Sequence, residues 1–182
     1  MAPSEQLTSS ALQAQLQDGS LAGSWTLDPA KSEILLKSRH NWGLSPVHGV
    51  FREASGGGTI TPAGDVSGVI AVVAASVDTK NPRRDKHLRS ADFFDIDNHP
   101  EFTFTADSAS PAGDGVRITG NLTVRGSTRP ATFDAKVALA GDELQLDGEI
   151  HVNRADHGLK WNFIGVASMH STIVVHAVFA RP

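Results

Sequence analysis

Apolar and polar residues alternate through most of the chain from Gly23 onward, and glycine or proline turns interrupt the alternation at short intervals. In one such stretch Val116, Ile118, Leu122 and Val124 alternate with polar side chains. A period of two is typical of a strand with one buried face, and closely spaced turn residues favour antiparallel connections. The chain is therefore predicted to be all-β. The predicted strands cover 23–28, 31–40, 47–61, 65–78, 101–108, 116–125, 131–140, 143–153 and 171–180.

An antiparallel sheet of this length can close into an eight-stranded barrel, and a chain of 182 residues is enough for one such domain. The lumen of a small barrel is either packed with side chains or holds one small ligand. Inward-facing apolar residues are needed in both cases, so the alternation leaves these two possibilities open.

The connection between residues 76 and 104 departs from the alternating pattern. Asn81 followed by Pro82 reads as an N-cap with proline at the first helical position, which predicts a short helix through Arg89. Pro100 then disfavours helix at the residue before it, and the strand pattern resumes. We therefore expect a short helical crossover within the sheet.

This connection resembles the long central motif of the YceI family, lipocalin-like bacterial proteins that bind polyisoprenoid and related lipids. The matching residues are Asp78-Thr79, Arg84-Asp85-x-His87-Leu88-Arg89-Ser90, Asp92-Phe93-Phe94-Asp95 and Pro100-x-Phe102-x-Phe104. Further matches are Val47-x-Gly49-x-Phe51, Gly120-Asn121-Leu122-Thr123-Val124-x-Gly126 and Asn153-Arg154-Ala155-Asp156-x-Gly158. The resemblance thus extends from about Gly23 to Ala180.

The resemblance implies an antiparallel eight-stranded lipocalin-like barrel that binds or transports a long-chain amphipathic lipid without catalysis and without a cofactor. An isoprenoid quinone or a polyprenyl phosphate is the kind of ligand implied. Two alternatives stay open: an enzyme of the cyclase or lyase type that acts on a hydrophobic metabolite in the same cavity, and a packed structural or stress-related barrel with no ligand. The predicted ligand-binding residues are Ile34, Leu36, Phe51, Ile70, Val72, Ala74, Phe102, Phe104, Leu122, Val124, Phe133, Ala135, Val137, Ile150, Trp161 and Phe163.

Trp161 and Phe163 place two large rings in the connection before the last strand. They either plug the end of the barrel as ordinary core or form a flap over a ligand entrance, and their amphipathic shape suits both roles. His157, just before them, replaces the aromatic residue that is usual in the family.

Residues 1–22 are predicted to form an extension in front of the barrel domain at 23–182. Ser10 and Gln13 have capping-box spacing, Leu12 and Leu16 lie one turn apart, and Gly19 suits a C-terminal cap, which together predict a short amphipathic helix. This helix either docks on the barrel as a leader or covers a cavity mouth.

The first residues lack a basic start and an apolar run, so we expect no signal peptide, no transmembrane segment and a cytoplasmic location.

Composition and motifs exclude several classes of site. The absence of cysteine rules out disulfides, thiol nucleophiles and cysteine-based metal sites, and a net charge of −4 gives no electrostatic case for nucleic acid. None of the eight histidines forms an HxxxH or HxH pair, so no metal is expected. No Gly-x-Ser-x-Gly nucleophile elbow occurs.

Charged residues of the crossover have two interpretations. Arg84 and Asp85, with Asp78, either brace the crossover against the barrel or place a cation where an anionic head group binds. Acids and bases are interleaved here, which favours the brace. The acidic residues Asp92, Asp95 and Asp97 beside Arg84 and Arg89 are expected to form an ion-pair network.

Apolar residues on the outward face of one strand predict that something covers them. Val69, Ala71 and Val73 occupy positions where the alternation calls for polar residues, so the N-terminal helix, the crossover or a second copy in a homodimer is expected there. In the last strand, His170 and His176 share the parity of apolar neighbours and are expected to be buried and hydrogen-bonded.

Overall fold

The computed structural model describes residues 5–6, 8–40, 45–160 and 168–182. These ranges contain two α-helices, α1 Ser9–Gln17 and α2 Pro82–Arg89, and two 3₁₀ turns, Ala74–Ser76 and Arg154–His157. The strands are β1 Glu5–Gln6, β2 Gly23–Leu27, β3 Glu33–His40, β4 Ser45–Phe51, β5 Ala54–Ile60, β6 Val66–Val73, β7 Val77–Asp78, β8 Glu101–Ala112, β9 Gly115–Val124, β10 Ser127–Ala140, β11 Glu143–Asn153 and β12 His170–Ala180.

The strands form one antiparallel sheet that closes on itself. Along the chain β8, β9, β10, β11 and β12 each pair with the next, and β12 returns to pair with both β2 and β3. The pairs β2–β3, β4–β5 and β6–β7 each act as one bent barrel strand, because the two members lie one after the other along the same neighbouring strand. The predicted eight-stranded antiparallel barrel is confirmed.

Two predicted strands are interrupted where the barrel bends. The prediction of one strand over 47–61 is split at Arg52 and Glu53, and the one over 65–78 is split by the 3₁₀ turn Ala74–Ser76. The two interruptions lie side by side, since the backbone N–H of Arg52 donates to the carbonyl of Ser76 and that of Val73 donates to Glu53. Both strands therefore bend at the same level of the barrel.

The barrel has two structurally distinct ends, which we name after the helix at each. At the α1 end lies the turn between β5 and β6, where a Cβ added to Gly64 would stand 3.3 Å from the carbonyl oxygen of Leu16 in α1. At the α2 end lie helix α2 and the turn between β9 and β10, in which Arg125 and Gly126 have φ of 49° and 69°. Positive φ at both central residues is the geometry of a type I′ hairpin turn.

Helix α1 confirms the predicted amphipathic segment, with a different capping residue. The Thr8 side chain, and not that of Ser10, caps the helix by accepting a hydrogen bond from the backbone N–H of Ala11. Leu12 and Leu16 are 3% and 8% exposed and lie on the side of the helix that faces the lumen. Helix α1 contacts β8 and β9 across the end of the barrel.

Helix α2 begins and ends where the sequence predicts. Asn81 is the N-cap, its side-chain oxygen accepts from the backbone N–H of Arg84, and Pro82 occupies the first turn. Beneath the crossover, Phe51, Phe94 and Phe102 pack ring against ring, with centroid separations of 5.0 to 6.3 Å. The crossover is thereby fixed to the barrel wall by an aromatic cluster.

Candidate ligand-binding cavity

The lumen of the barrel is hollow. A cavity of about 320 Å³ runs from Leu12 and Leu16 at the α1 end to Arg84 and His87 at the α2 end. Val116 and Val124, near the two ends of β9, both line it. The eight residue steps between them span roughly 27 Å of strand, or about 20 Å along the barrel axis at the usual tilt of barrel strands. The cavity is therefore long and narrow, a shape that suits an extended chain.

Most of the residues predicted to bind the ligand line this cavity. Those that do are Ile34, Leu36, Phe51, Ile70, Val72, Phe102, Phe104, Leu122, Val124, Phe133, Val137 and Ile150. Their place in the wall is a fact of the fold, while their contact with a ligand stays a prediction.

Two of the predicted residues that the structure describes, Ala74 and Ala135, are not among the residues that line the cavity. Ala74 is fully buried but begins the 3₁₀ turn that interrupts the strand, so the period of two no longer aims it at the lumen. Ala135 is buried on the inward face, but its methyl group lies against Gly148, over which the ring of Phe133 also packs. The contact of these two residues with a ligand stays a prediction. Trp161 and Phe163 lie outside the described residues.

Residues at the α1 end that are not among the predicted ligand-binding residues also belong to the wall. Leu12 and Leu16 of α1, with Leu21 and Trp25, line the cavity and are buried. The indole N–H of Trp25 donates to the carbonyl of Leu21, 3.0 Å away, and so satisfies its polar atom. The spacing of the two leucines in α1 was the available signal, but it could not show that the helix crosses the end of the barrel.

The α2 end of the same cavity is basic. Arg84, His87 and Leu88 lie on one side of α2, as residues three and four apart do, and all three line the cavity. Arg154 and His157, from the 3₁₀ turn after β11, line it as well. No aspartate or glutamate is found among the lining residues within the described part of the chain.

Arg84 and Asp85 both bind Thr79, where β7 leads into the crossover. Asp85 is 7% exposed and accepts from the backbone N–H and the hydroxyl of Thr79, at 3.0 and 2.5 Å. Arg84 donates from Nε to the Thr79 hydroxyl and from Nη2 to the Thr79 carbonyl, both at 2.8 Å. The two side chains thus brace α2 against the barrel, and Arg84 is also part of the cavity wall.

Asp78 and Arg89 fix the same region from other directions. Arg52 and Lys80 donate to the Asp78 carboxylate, and Arg52 above all holds the pKa of that carboxyl well below its usual range. Arg89 donates to the backbone carbonyls of Ala75 and Val77, at 2.7 and 2.8 Å. Arg89 therefore ties α2 to the backbone at the strand break.

The predicted ion-pair network in the crossover was wrong. Arg84 and Arg89 bind Thr79 and backbone carbonyls, and neither forms an ion pair with Asp92, Asp95 or Asp97. Asp95 instead accepts from the side chain of Asn98. Interleaved charges along the chain do not pair because the helix and the turns that follow aim them in different directions.

Arg154 and His157 bring further basic groups to the cavity. Arg154 is 5% exposed; its Nε donates to the carbonyl of Ser168 at 2.7 Å, and its guanidinium carbon lies 5.4 Å from the ring centre of Phe93. Burial lowers the pKa of Arg154. His157, 3% exposed, has Nδ1 2.9 Å from the carbonyl oxygen of Ser127.

The prediction of buried histidines in the last strand was wrong for His176. Its ring Nδ1 lies 2.5 Å from a carboxylate oxygen of Asp147 on the outer surface, and the side chain is 43% exposed. His170 is also exposed. The residues of β12 that line the lumen have the opposite parity: Ser171, Ile173, Val175 and Phe179. Both faces of the strand carry apolar residues, so the parity of the histidines did not identify the buried face.

The outward apolar face predicted on β6 is present. Val69 is 41% exposed, and Ala71 and Val73 are half-buried. The homodimer expected to cover this face stays a prediction.

Among the described residues no helix is long and apolar enough to cross a membrane. Within the same ranges, no cluster of histidine and acidic side chains has the arrangement of a metal site.

Comparison with known proteins identifies the family. The family model of the YceI-like domain matches residues 25–179. The chain belongs to the YceI-like family. Protein YceI of Escherichia coli O17:K52:H18 is 37% identical over 144 residues, which is 73% of each protein, and Protein YceI of Salmonella arizonae is 41% identical over 104 residues, 56% of this chain and 54% of that protein.

Solved structures share the barrel. BcnA of Burkholderia cenocepacia superposes with a TM-score of 0.77 at 25% identity, covering 84% of this chain and 98% of BcnA. A polyisoprenoid binding domain from Saccharophagus degradans, implicated in plant cell wall breakdown, superposes with a TM-score of 0.66 at 18% identity, covering 87% of this chain and 98% of that domain. Helix α1 lies outside the residues that the YceI-like family model matches.

Proposed function

We propose that this protein is a non-enzymatic carrier that holds one long-chain amphipathic lipid, such as an isoprenoid, in the lumen of its barrel. The observation that carries the proposal is the cavity itself, which is long, apolar along its walls and polar at one end. Membership of the YceI-like family and the polyisoprenoid-binding neighbour from Saccharophagus degradans support the same ligand class.

The energetics favour recognition of the tail. Each five-carbon isoprene unit removed from water contributes roughly 3–4 kcal/mol before ordering costs, at about 0.8 kcal/mol per buried carbon. One neutral hydrogen bond to a head group contributes about 0.5–1.5 kcal/mol net. Affinity therefore rises mainly with the buried length of the chain, and the head group sets the direction in which the lipid lies.

Native mass spectrometry of protein purified from the organism that produces it tests the carrier proposal. We expect a fraction of the protein to carry an extra mass that organic extraction identifies as a long-chain lipid. Incubation of purified protein with that lipid should return it chemically unchanged, since a carrier makes and breaks no bonds. A protein that takes up no long-chain lipid, even when lipid is supplied, contradicts the proposal, and a lipid returned with altered mass favours the enzyme instead.

A further inference from the structure

The two ends of the cavity differ in charge, and this difference bears on the ligand's head group. Arg39, Arg84, His87, Arg154 and His157 all line the cavity toward the α2 end, and the described lining residues include no carboxylate. A neutral head group needs only one or two hydrogen bonds. An oxyanion placed among arginine and histidine side chains gains charge-assisted hydrogen bonds, which are roughly twice as strong as neutral ones.

Arg84 has the geometry of a prepared anion donor. Two of its three guanidinium nitrogens are held by Thr79, through Nε to the hydroxyl and Nη2 to the carbonyl. Nη1 makes no hydrogen bond to a described residue, and the side chain is part of the cavity wall. The adjacent carboxylate, Asp85, is bound to Thr79 and does not line the cavity. The orientation of Arg84 is therefore set before a ligand enters.

His157 adds a second oriented polar group. A carbonyl oxygen only accepts, so the contact from Nδ1 to the Ser127 carbonyl places the ring proton on Nδ1. Nε2 then accepts a hydrogen bond from a protonated phosphate or carboxylic acid, and it donates to the oxyanion when the ring is charged. His157 is buried in the wall of the cavity, where such a contact is shielded from water.

We propose that the α2 end binds an oxyanion head group, a phosphate or a carboxylate, with Arg84 as the principal donor and His87, Arg154 and His157 around it. The inference rests on the proposed lipid-carrier function and refines it, because it assigns the ligand to the acidic lipids and not to the quinones or alcohols. The tail then extends along the apolar wall toward α1.

Three probes of one chain length test this proposal: geranylgeranyl phosphate, geranylgeranoic acid and geranylgeraniol. They share the tail and differ in the head group, so their affinities for the delipidated wild-type protein, measured by calorimetry, isolate the contribution of the α2 end. We expect the phosphate to bind roughly tenfold or more tightly than the alcohol. The acid distinguishes the source of the oxyanion: equal binding of phosphate and acid indicates that either serves, and a preference for one assigns the head group.

Variants of α2 link the preference to Arg84. Arg84→Met should remove most of the preference for phosphate and leave the affinity for geranylgeraniol unchanged. Arg83→Met is the matched control, because Arg83 is the adjacent basic residue of α2 but is exposed and lies outside the cavity wall. Circular dichroism confirms that each variant is folded.

The outcomes separate the two proposals. Equal affinity for the phosphate and the alcohol overturns the head-group assignment and leaves the carrier function standing. If Arg84→Met weakens both probes by the same factor, the assignment to Arg84 is wrong. Failure of all three probes to bind contradicts the carrier function itself. The wild-type comparison needs no variant, so it decides the head-group class even if Arg84→Met does not fold.

Discussion

At the α1 end the lumen is bounded by apolar side chains of one short helix. At the α2 end it is bounded by aromatic rings and by basic groups, of which Arg84 is held in place by hydrogen bonds. Leu12 and Leu16 contribute packing alone, and they belong to a helix outside the closed sheet. The side chains of Arg84 and Asp85 each form two hydrogen bonds with Thr79. The two ends therefore differ in chemistry, and under the proposed carrier function this difference would set the direction in which the lipid lies.

The α2 end should contribute more to stability than the α1 end. Phe94 is 3% exposed and touches the rings of Phe51, Phe93 and Phe102, so Phe94→Ala should cost about 3–5 kcal/mol in the free energy of unfolding. Leu16→Ala, at the α1 end, should cost about 2 kcal/mol, the low end for a buried leucine, because α1 can shift on the barrel. Urea unfolding followed by circular dichroism measures both. A larger loss for Leu16→Ala would reverse the comparison.

Removal of the brace at Thr79 should have a smaller effect. In Asp85→Ala the backbone N–H of Thr79 loses its buried acceptor, which should cost about 1–3 kcal/mol, while the Thr79 hydroxyl can turn to another partner. Asp92→Ala is the matched control: Asp92 is an exposed carboxylate of the same crossover, and its loss should change stability by less than about 0.5 kcal/mol. Equal melting temperatures for the two variants would show that the brace does not stabilise α2.

A bulky residue near α1 should shorten the tail that the cavity accepts, with little loss of stability. Ala109 of β8 lines the cavity close to α1 and is only half-buried, so Ala109→Phe fills space at that end. We expect affinity for prenyl phosphates to stop rising at a shorter chain than in the wild type. Ser108→Phe, whose side chain is exposed, is the control and should leave the series unchanged. If affinity rises with prenyl chain length in the same way for the wild type and for Ala109→Phe, the tail does not reach the α1 end.

Sequence reasoning located most of the barrel because alternation is reliable wherever a strand is regular and one face is polar. It recovered the eight barrel strands, the bounds of α2 and most of the wall. It failed at irregularities. The 3₁₀ turn at Ala74–Ser76 ends the alternation on β6, and a register shift between Ala106 and Ser108 places Ala109 in the wall. In β12 both faces are apolar, so the sequence offered no basis for choosing between them.

The ends of the cavity were harder to predict than its walls. The spacing of Leu12 and Leu16 indicated an amphipathic helix, but its position depends on contacts with β8 and β9, which are distant in sequence. For Arg84 the two interpretations, brace and head-group contact, were treated as alternatives. The structure places this side chain both on Thr79 and in the cavity wall, so the two roles are compatible.

The most direct test of the account is the direction in which a lipid lies. Trp25 lines the cavity at the α1 end, and a variant with Trp42→Phe and Trp161→Phe keeps it as the sole tryptophan. Two stearate probes, one with a nitroxide near the methyl end and one with a nitroxide next to the carboxylate, report on that end because nitroxides quench tryptophan fluorescence only at short range. We expect strong quenching by the first probe and weak quenching by the second at equal occupancy. Stronger quenching by the carboxylate-end probe, or no quenching by either when bound, would contradict a tail directed toward α1.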